Sequence, residues 1–96
     1  MNLQDELLAQ DYSIGIYDPE FDGEVYESLS FYKQIDTQNY LIDLEVDVTF
    51  RFGDGGCEED SLSIGSIKVI DEDSVDQELS LDLYKLIQAS ITTYYE

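Results

Sequence analysis

The sequence predicts an α+β domain with a roughly four-stranded, mainly antiparallel sheet, a C-terminal helix packed on one sheet face and a short N-terminal helix. Residues 40–52 alternate apolar and polar side chains, the period of a strand with one wet face. Residues 83–94 repeat apolar side chains every three to four positions, the period of a helix. Glycine-rich or polar segments separate the apolar runs into individual elements. The strand-like runs come first along the chain and the clearest helix comes last, an order typical of an α+β domain.

The N-terminal third predicts a short helix followed by two strands around a turn. The segment NLQDELLAQ (2–10) would place its leucines on one side of a helix about two turns long. Residues 12–16 alternate, DPEFDG (18–23) carries turn residues, and residues 25–31 continue as the return strand.

Two further strands are predicted in the middle of the chain. The longest is 40–52, and the acidic, glycine-rich loop GDGGCEED (53–60) follows it. The next strand is SLSIGSIKVI (61–70), whose apolar alternation changes phase at Gly65 and Ser66. Such a phase change at a glycine predicts a β-bulge or a bend.

The C-terminal helix is the most strongly marked element. The polar connection 71–79 could hold a short extended piece at 75–79. Ser80 is then a suitable N-cap and Asp82 lies in the first turn, where the helix dipole favours a negative charge. The apolar stripe that begins at Leu83 continues to Tyr94, so we expect the helix to extend that far.

The charge is extreme for a chain of this length. The 96 residues, which we expect to form a single domain (1–96), carry 23 Asp and Glu against 4 Lys and Arg, a formal net charge of −19. Self-repulsion on this scale destabilises a compact fold, whereas solubility needs a net charge of only about 2 to 8. Nucleic acid, anionic membrane and acidic ligands are therefore poor partners, and a basic protein is a good one. The alternative is an acidic surface that serves solubility alone.

Three carboxylates occupy successive outward positions of the longest strand. Asp43, Glu45 and Asp47 would lie roughly 6.6–6.8 Å apart on one rigid row. Duplex DNA carries one charge per ~1.7 Å of axis, so the row with its flanking acidic loops would imitate a short polyanion. The predicted extensions of the row are Glu58, Glu59, Asp60, Asp71, Glu72 and Asp73. The alternative is that wet-face carboxylates only keep the strand soluble and guard against edge pairing.

A calcium loop is a weaker prediction from the segment 18–29. Asp18, Glu20 and Asp22 occupy the first, third and fifth places of an EF-hand-like loop. The twelfth place, where a bidentate Glu belongs, is Leu29, and the flanks predict strands rather than helices. No cofactor and no other metal site is predicted.

Catalysis has little support in the sequence. The chain has no His and only one Cys, Cys57, whose acidic neighbours Glu58 and Glu59 disfavour a thiolate. One cysteine allows no internal disulfide, which fits a reduced compartment. The missing histidine and the unactivated cysteine predict a protein that is not an enzyme. The N-terminal segment has neither a basic region nor an apolar run of signal length, so we expect a cytoplasmic protein.

The segments YLIDLEVDVTFRFGDGG, SLSIGSIKVIDED and LDLYKLIQASITTYYE together resemble small acidic proteins encoded by bacteriophages. Some members of this group are DNA mimics that inhibit host defence, including anti-CRISPR and anti-restriction proteins. The resemblance lies in length, charge and the order strand–strand–helix. DNA mimics share no common sequence, so the predicted site residues come from the charge pattern alone.

The leading hypothesis is an inhibitor that blocks a basic nucleic-acid-binding protein of the host, in the host cytoplasm. The first alternative is a phage structural or assembly accessory protein that forms a homo-oligomer. The second is a calcium-binding module. A homodimer is compatible with the leading hypothesis.

Overall fold

The computed structural model describes residues 2–95. The elements are α1 (Leu3–Leu8), β1 (Ser13–Ile16), β2 (Tyr26–Asp36), β3 (Tyr40–Gly53), β4 (Gly56–Asp71), α2 (Leu81–Ser90) and β5 (Thr92–Tyr95). The principal extents are 49 × 21 × 20 Å. Fourteen residues at ~3.4 Å each give β3 almost the whole of that length.

The main sheet has three antiparallel strands in the order β2-β3-β4. Strand β3 pairs with β2 from Leu41–Asp36 to Arg51–Tyr26, and with β4 from Tyr40–Asp71 to Gly53–Gly56. The α+β class, the short N-terminal helix and the C-terminal helix are confirmed. The long predicted strand 40–52 is also confirmed, as β3. Its apolar side faces the core.

One side of β3 supplies the centre of the core. Ile42, Leu44, Val46, Val48 and Phe50 are each at most 2% exposed. They pack with side chains of both helices, of β1 and the residue before it, and of the two neighbouring strands. These are Leu7, Tyr12, Ile14, Ile16, Phe31, Ile35, Ile64, Val69, Leu83 and Ile87. The two helices and β1 therefore lie on one side of the sheet, which we call the covered face.

The four-stranded sheet predicted from the sequence is not present as such. Strand β1 does not form a hairpin with β2; it pairs in parallel with β5, from Ser13–Thr92 to Ile16–Tyr95. Segment 92–95 was predicted to be the end of the helix, which instead ends at Ser90. Its β-branched and aromatic side chains favour a strand, and the Thr92 N–H donates to the Tyr12 carbonyl at 3.2 Å.

Both helices begin at the side chains that cap them. The Ser80 hydroxyl accepts from the Leu83 N–H at 3.1 Å, as predicted, and the side-chain Oδ1 of Asn2 accepts from the Asp5 N–H at 2.8 Å. In α1 the Glu6 carboxylate is only 4% exposed and accepts from the Asn39 N–H at 3.1 Å. This contact ties α1 to the β2–β3 turn. No helix within residues 2–95 has the length and apolar character needed to cross a bilayer.

Strand β4 carries two irregularities. The register against β3 shifts between Glu45 and Val46, where Ser66 and then Ile64 are the partners, so Gly65 is the extra residue. The predicted bulge at this glycine is confirmed. A second shift lies between Thr49 and Phe50 and leaves Asp60 as the extra residue, which the sequence did not predict. Between 75 and 79 there is only an isolated bridge, from Asp76 to Ile70.

Because of the buried Tyr12 hydroxyl, the stability of the fold decreases at alkaline pH. It donates to the Leu7 carbonyl at 2.6 Å, and burial raises the pKa of Tyr12 from 10.0 to about 12. Between these values the unfolded chain loses the phenolic proton while the folded chain keeps it, so stability is lost as pH rises. We expect Tyr12→Phe to cost about 1 kcal/mol at neutral pH and the gap to the wild type to narrow above pH 10.

Urea unfolding at neutral pH and on both sides of pH 10 measures that gap. Tyr32→Phe is the matched control, because the Tyr32 ring is 75% exposed, and it should change stability by less than about 0.5 kcal/mol at each pH. A gap between Tyr12→Phe and wild type that stays constant with pH would contradict the shielded hydroxyl.

Candidate functional site

The face of the main sheet opposite the core, which we call the open face, carries the predicted carboxylate row along its middle strand. Asp43 is exposed, and Glu45 and Asp47 are half-buried between neighbours on β2 and β4. Between the levels of Asp43 and Arg51, the register places fifteen residues on this face. They are Tyr26, Ser28, Ser30, Tyr32 and Gln34 from β2, Asp43, Glu45, Asp47, Thr49 and Arg51 from β3, and Glu58, Ser61, Ser63, Ser66 and Lys68 from β4.

Neutral side chains hold each carboxylate of the row. Gln34 Nε2 donates to Asp43 Oδ1 at 3.0 Å, and Ser66 Oγ donates to Glu45 Oε2 at 3.1 Å. Ser30 Oγ donates to Asp47 Oδ1 at 2.7 Å. A hydroxyl or amide orients a carboxylate without removing its charge. The row is therefore fixed in position and still negative.

The bulge in β4 makes the space that Asp47 occupies. A Cβ atom on Gly65 would lie 2.7 Å from Asp47 Oδ2 and 3.1 Å from Oδ1. Any side chain at this position would push the carboxylate away, so the glycine serves the open face as well as the bend of the strand.

The few cations are engaged elsewhere. Within residues 2–95 the ion pairs are Arg51 with Glu58, at 4.0 Å, and Lys68 with Asp76, at 3.9 Å. Both pairs are exposed, a setting in which an ion pair contributes ~0–1 kcal/mol. Lys68 stands across from Asp43 in the register, yet its Nζ pairs with Asp76. None of the three row carboxylates belongs to either pair.

The predicted extension at 58–60 is divided between the two faces. Glu58 lies on the open face beside Arg51. Glu59 pairs with buried Phe50 and so lies on the covered face, where it accepts from Thr93 Oγ1 at 3.1 Å. The second bulge, at Asp60, causes this division because an extra residue reverses the facing of the strand residues on either side of it.

The predicted extension at 71–73 lies at the opposite end of the sheet from the β3–β4 turn. Asp71 pairs with Tyr40, and its carboxylate accepts from the Asp73 N–H, the Val75 N–H and Gln77 Nε2 at 2.9–3.0 Å. Asp71 therefore holds its own turn together. Glu72 and Asp73 are exposed at the tip, so two of these three acids are free to face a partner.

The candidate calcium ligands do not form a cluster. Among residues 2–95 no three acidic or cysteine side chains come close enough to hold a metal ion. Asp22 instead accepts from the Glu24 N–H at 3.1 Å and closes a local turn, while Asp18 and Glu20 are exposed. The structure therefore gives the calcium-binding alternative no ligand set.

The sequence did not predict an apolar groove at the end of the sheet that carries the β3–β4 turn. Its volume is about 670 Å³, and Phe21 closes one side by an edge-to-face contact with Phe52, with ring centroids 5.2 Å apart. The signal available in the sequence was an aromatic residue inside an otherwise acidic turn. Cys57 also lines the groove; burial first, and then Asp18 and Glu58, raise the pKa of its thiol, which disfavours nucleophilic chemistry.

No protein-family model, curated protein or solved structure matches this chain.

A substitution at Gly65 tests whether the bulge positions Asp47. We expect Gly65→Ala to keep the fold but to turn the Asp47 carboxylate away from Ser30, because the added methyl would meet both carboxylate oxygens. The measurement is the side-chain carboxyl ¹³C shift and the χ1 angle of Asp47 by NMR. Ser63→Ala is the control. Ser63 also stands across from Asp47, but its replacement by alanine adds no atoms near the carboxylate. An unchanged Asp47 in Gly65→Ala would contradict this role.

Proposed function

We propose that the protein is a non-enzymatic acidic inhibitor that imitates the charge of DNA and occupies the basic groove of a nucleic-acid-binding host protein. A phage anti-defence role of the anti-CRISPR or anti-restriction type fits this chemistry. The observation that supports it most is the row of Asp43, Glu45 and Asp47, held by neutral donors on an open sheet face with no ion pair inside the described chain.

The overall charge density supports the same proposal. Along the 49 Å axis the formal net charge of −19 amounts to about one negative charge per 2.6 Å. Duplex DNA carries one per ~1.7 Å, so the protein reaches more than half of the DNA value. A basic groove that releases counter-ions on binding DNA would gain from this surface in the same way.

The rigidity of the row lowers the cost of binding. Each carboxylate already has a hydrogen-bond partner that fixes its rotamer, and the strand beneath it is paired on both sides. Ordering a mobile acidic side chain costs ~0.5–1.5 kcal/mol on binding, and much of that cost is already met here. Association would be fast and strongly salt-dependent, because opposite fields steer the encounter.

Exposed tyrosines on the open face add aromatic contact surface beside the carboxylates. Tyr26 is 55% exposed and Tyr32 is 75% exposed, and Tyr32 stands directly across from Glu45. A tyrosine ring beside a carboxylate accepts an arginine well, since the ring face attracts the cation while the acid pairs with it. This arrangement favours a protein partner over a small ion.

Neutralising the row tests the proposal. We expect the triple variant Asp43→Asn, Glu45→Gln, Asp47→Asn to lose at least tenfold in affinity for a basic partner, because three desolvated charge contacts disappear while side-chain shape is kept. The measurement is capture of DNA-binding proteins from a bacterial lysate at low salt, with elution by duplex DNA or by high salt. Reversing the three acids to lysine should abolish capture.

The matched control removes the same charge elsewhere. Glu20→Gln, Asp54→Asn, Glu78→Gln changes three exposed carboxylates outside the open face. It should retain most of the capture. Equal losses in the two triple variants would mean that net charge alone attracts the partner, and full capture by a folded row variant would contradict the proposed site.

A further inference from the structure

Strand β2 has an unpaired edge along its whole length. The bonds Phe52 N–H to Val25 carbonyl and Thr37 N–H to Tyr40 carbonyl, at 2.7 and 2.8 Å, show that odd-numbered residues of β2 bond to β3. The backbone groups of the even-numbered residues therefore point away from the sheet. Those residues are Tyr26, Ser28, Ser30, Tyr32, Gln34 and Asp36, and all six are exposed. No backbone partner for this edge is found within residues 2–95.

The side chains of that edge on the open face carry no charge from Tyr26 to Gln34. From 26 to 34 the outward residues of β2 are two tyrosines, two serines and a glutamine, in a chain with 23 acidic residues. Proteins usually protect a free edge with charged side chains, proline or a bulge, and residues 26–34 have none of these on the open face, where Asp36 at the end of the strand is the first charge. A second copy of an otherwise strongly repelling protein could approach here.

We propose that two copies of the chain pair antiparallel along β2, with Ser30 of each copy facing its counterpart on the two-fold axis. The proposal commits to a second copy because, from Val25 to Ile35, this register opposes no like charges; only the outermost pair, Asp36 against Glu24, is of like sign. On the open face it sets Ser28 against Tyr32 and Tyr26 against Gln34. On the covered face it sets Leu29 against Phe31 and Val25 against Ile35.

The same register sets Glu27 against Lys33 of the second copy. Glu27 Oε2 is shielded from solvent and finds no hydrogen-bond donor among residues 2–95. Burial first, and then Asp22 and Glu24, raise the pKa of Glu27. Neither ion pair found within residues 2–95 includes this carboxylate. Lys33 lies on the same covered face, with Nζ bound to the Ser13 carbonyl at 2.6 Å. Across the two-fold axis these positions form a non-hydrogen-bonded pair, in which side chains come closest.

A shift of two residues would remove this match. It would set Leu29 against Lys33 and Glu27 against Ile35, so that each charge meets an apolar side chain. Glu27 and Lys33 thus select one register and disfavour foreign strands, which would leave both charges unpaired.

The assembly would end at two copies, because each copy has one free β2 edge and the two-fold pairing occupies both edges. It would form a six-stranded sheet with both open faces on one side. The two carboxylate rows would run antiparallel, separated by three strand spacings, or ~14 Å. The dimer does not depend on the proposed DNA mimicry, but it would give a basic groove two rails of charge instead of one.

The mass in solution tests the dimer first. We expect light scattering behind a sizing column to give about 22 kDa for the wild type, twice the 11.0 kDa of the chain. Ser30→Lys should give the monomer, because two like charges would face each other across the axis while each lies beside its own Asp47. Ser63→Lys is the matched control, as it adds the same charge on the other side of Asp47, and it should stay dimeric.

The charge pair tests the register. Glu27→Lys alone and Lys33→Glu alone should each be monomeric, and mixing the two folded variants should restore the dimer, since every opposed pair is then of unlike sign. A wild type that stays monomeric from micromolar to millimolar concentration would overturn the proposal. So would a dimer that persists in Ser30→Lys, or a mixture that remains monomeric with both variants shown to be folded by circular dichroism.

Discussion

The structure depends on the strict alternation of one strand, β3. Its even-numbered residues from 42 to 50 are at most 2% exposed and form the centre of the core. The same alternation sends Asp43, Glu45 and Asp47 to the opposite face, because successive side chains of a strand point to opposite sides. A one-residue shift in the register of β3 would bury the three carboxylates and at the same time expose the apolar side chains of the core. Burial of the apolar side therefore fixes the acids where their mutual repulsion alone would not place them.

Self-repulsion is tolerated because neutral donors, not cations, organise the row. Serine and glutamine side chains from β2 and β4 bind the three carboxylates, while Arg51 and Lys68 pair with Glu58 and Asp76. Lys33 reaches a backbone carbonyl on the covered face. Three of the four cations thus make their polar contacts with groups outside the row, although Lys68 stands beside Asp43 in the register. This distribution distinguishes an exposed, unneutralised row from the mixed-sign surface that is usual on a wet sheet face.

Local patterns in the sequence predicted the long strand, the Ser80 cap and the bulge at Gly65, since each depends on neighbours in the chain. The pairing of β1 with β5 could not be predicted in this way. It joins residues 13–16 to residues 92–95, and the tyrosines at 94 and 95 fit a helical stripe as well as a strand. The facing of Glu59 was missed for a related reason. It depends on the bulge at Asp60, which carries neither a glycine nor a visible change of phase.

The central claim is that an ordered, unneutralised row on β3 attracts basic partners, and NMR titration with an oligoarginine peptide tests it most directly. The side-chain carboxyl resonances of Asp43, Glu45 and Asp47 should shift first and furthest. Those of Asp18, Glu20 and Glu24 in the loop before β2 should shift later and less. Shifts of equal size across all exposed carboxylates would contradict the claim, because they would show attraction by total charge without a preferred face.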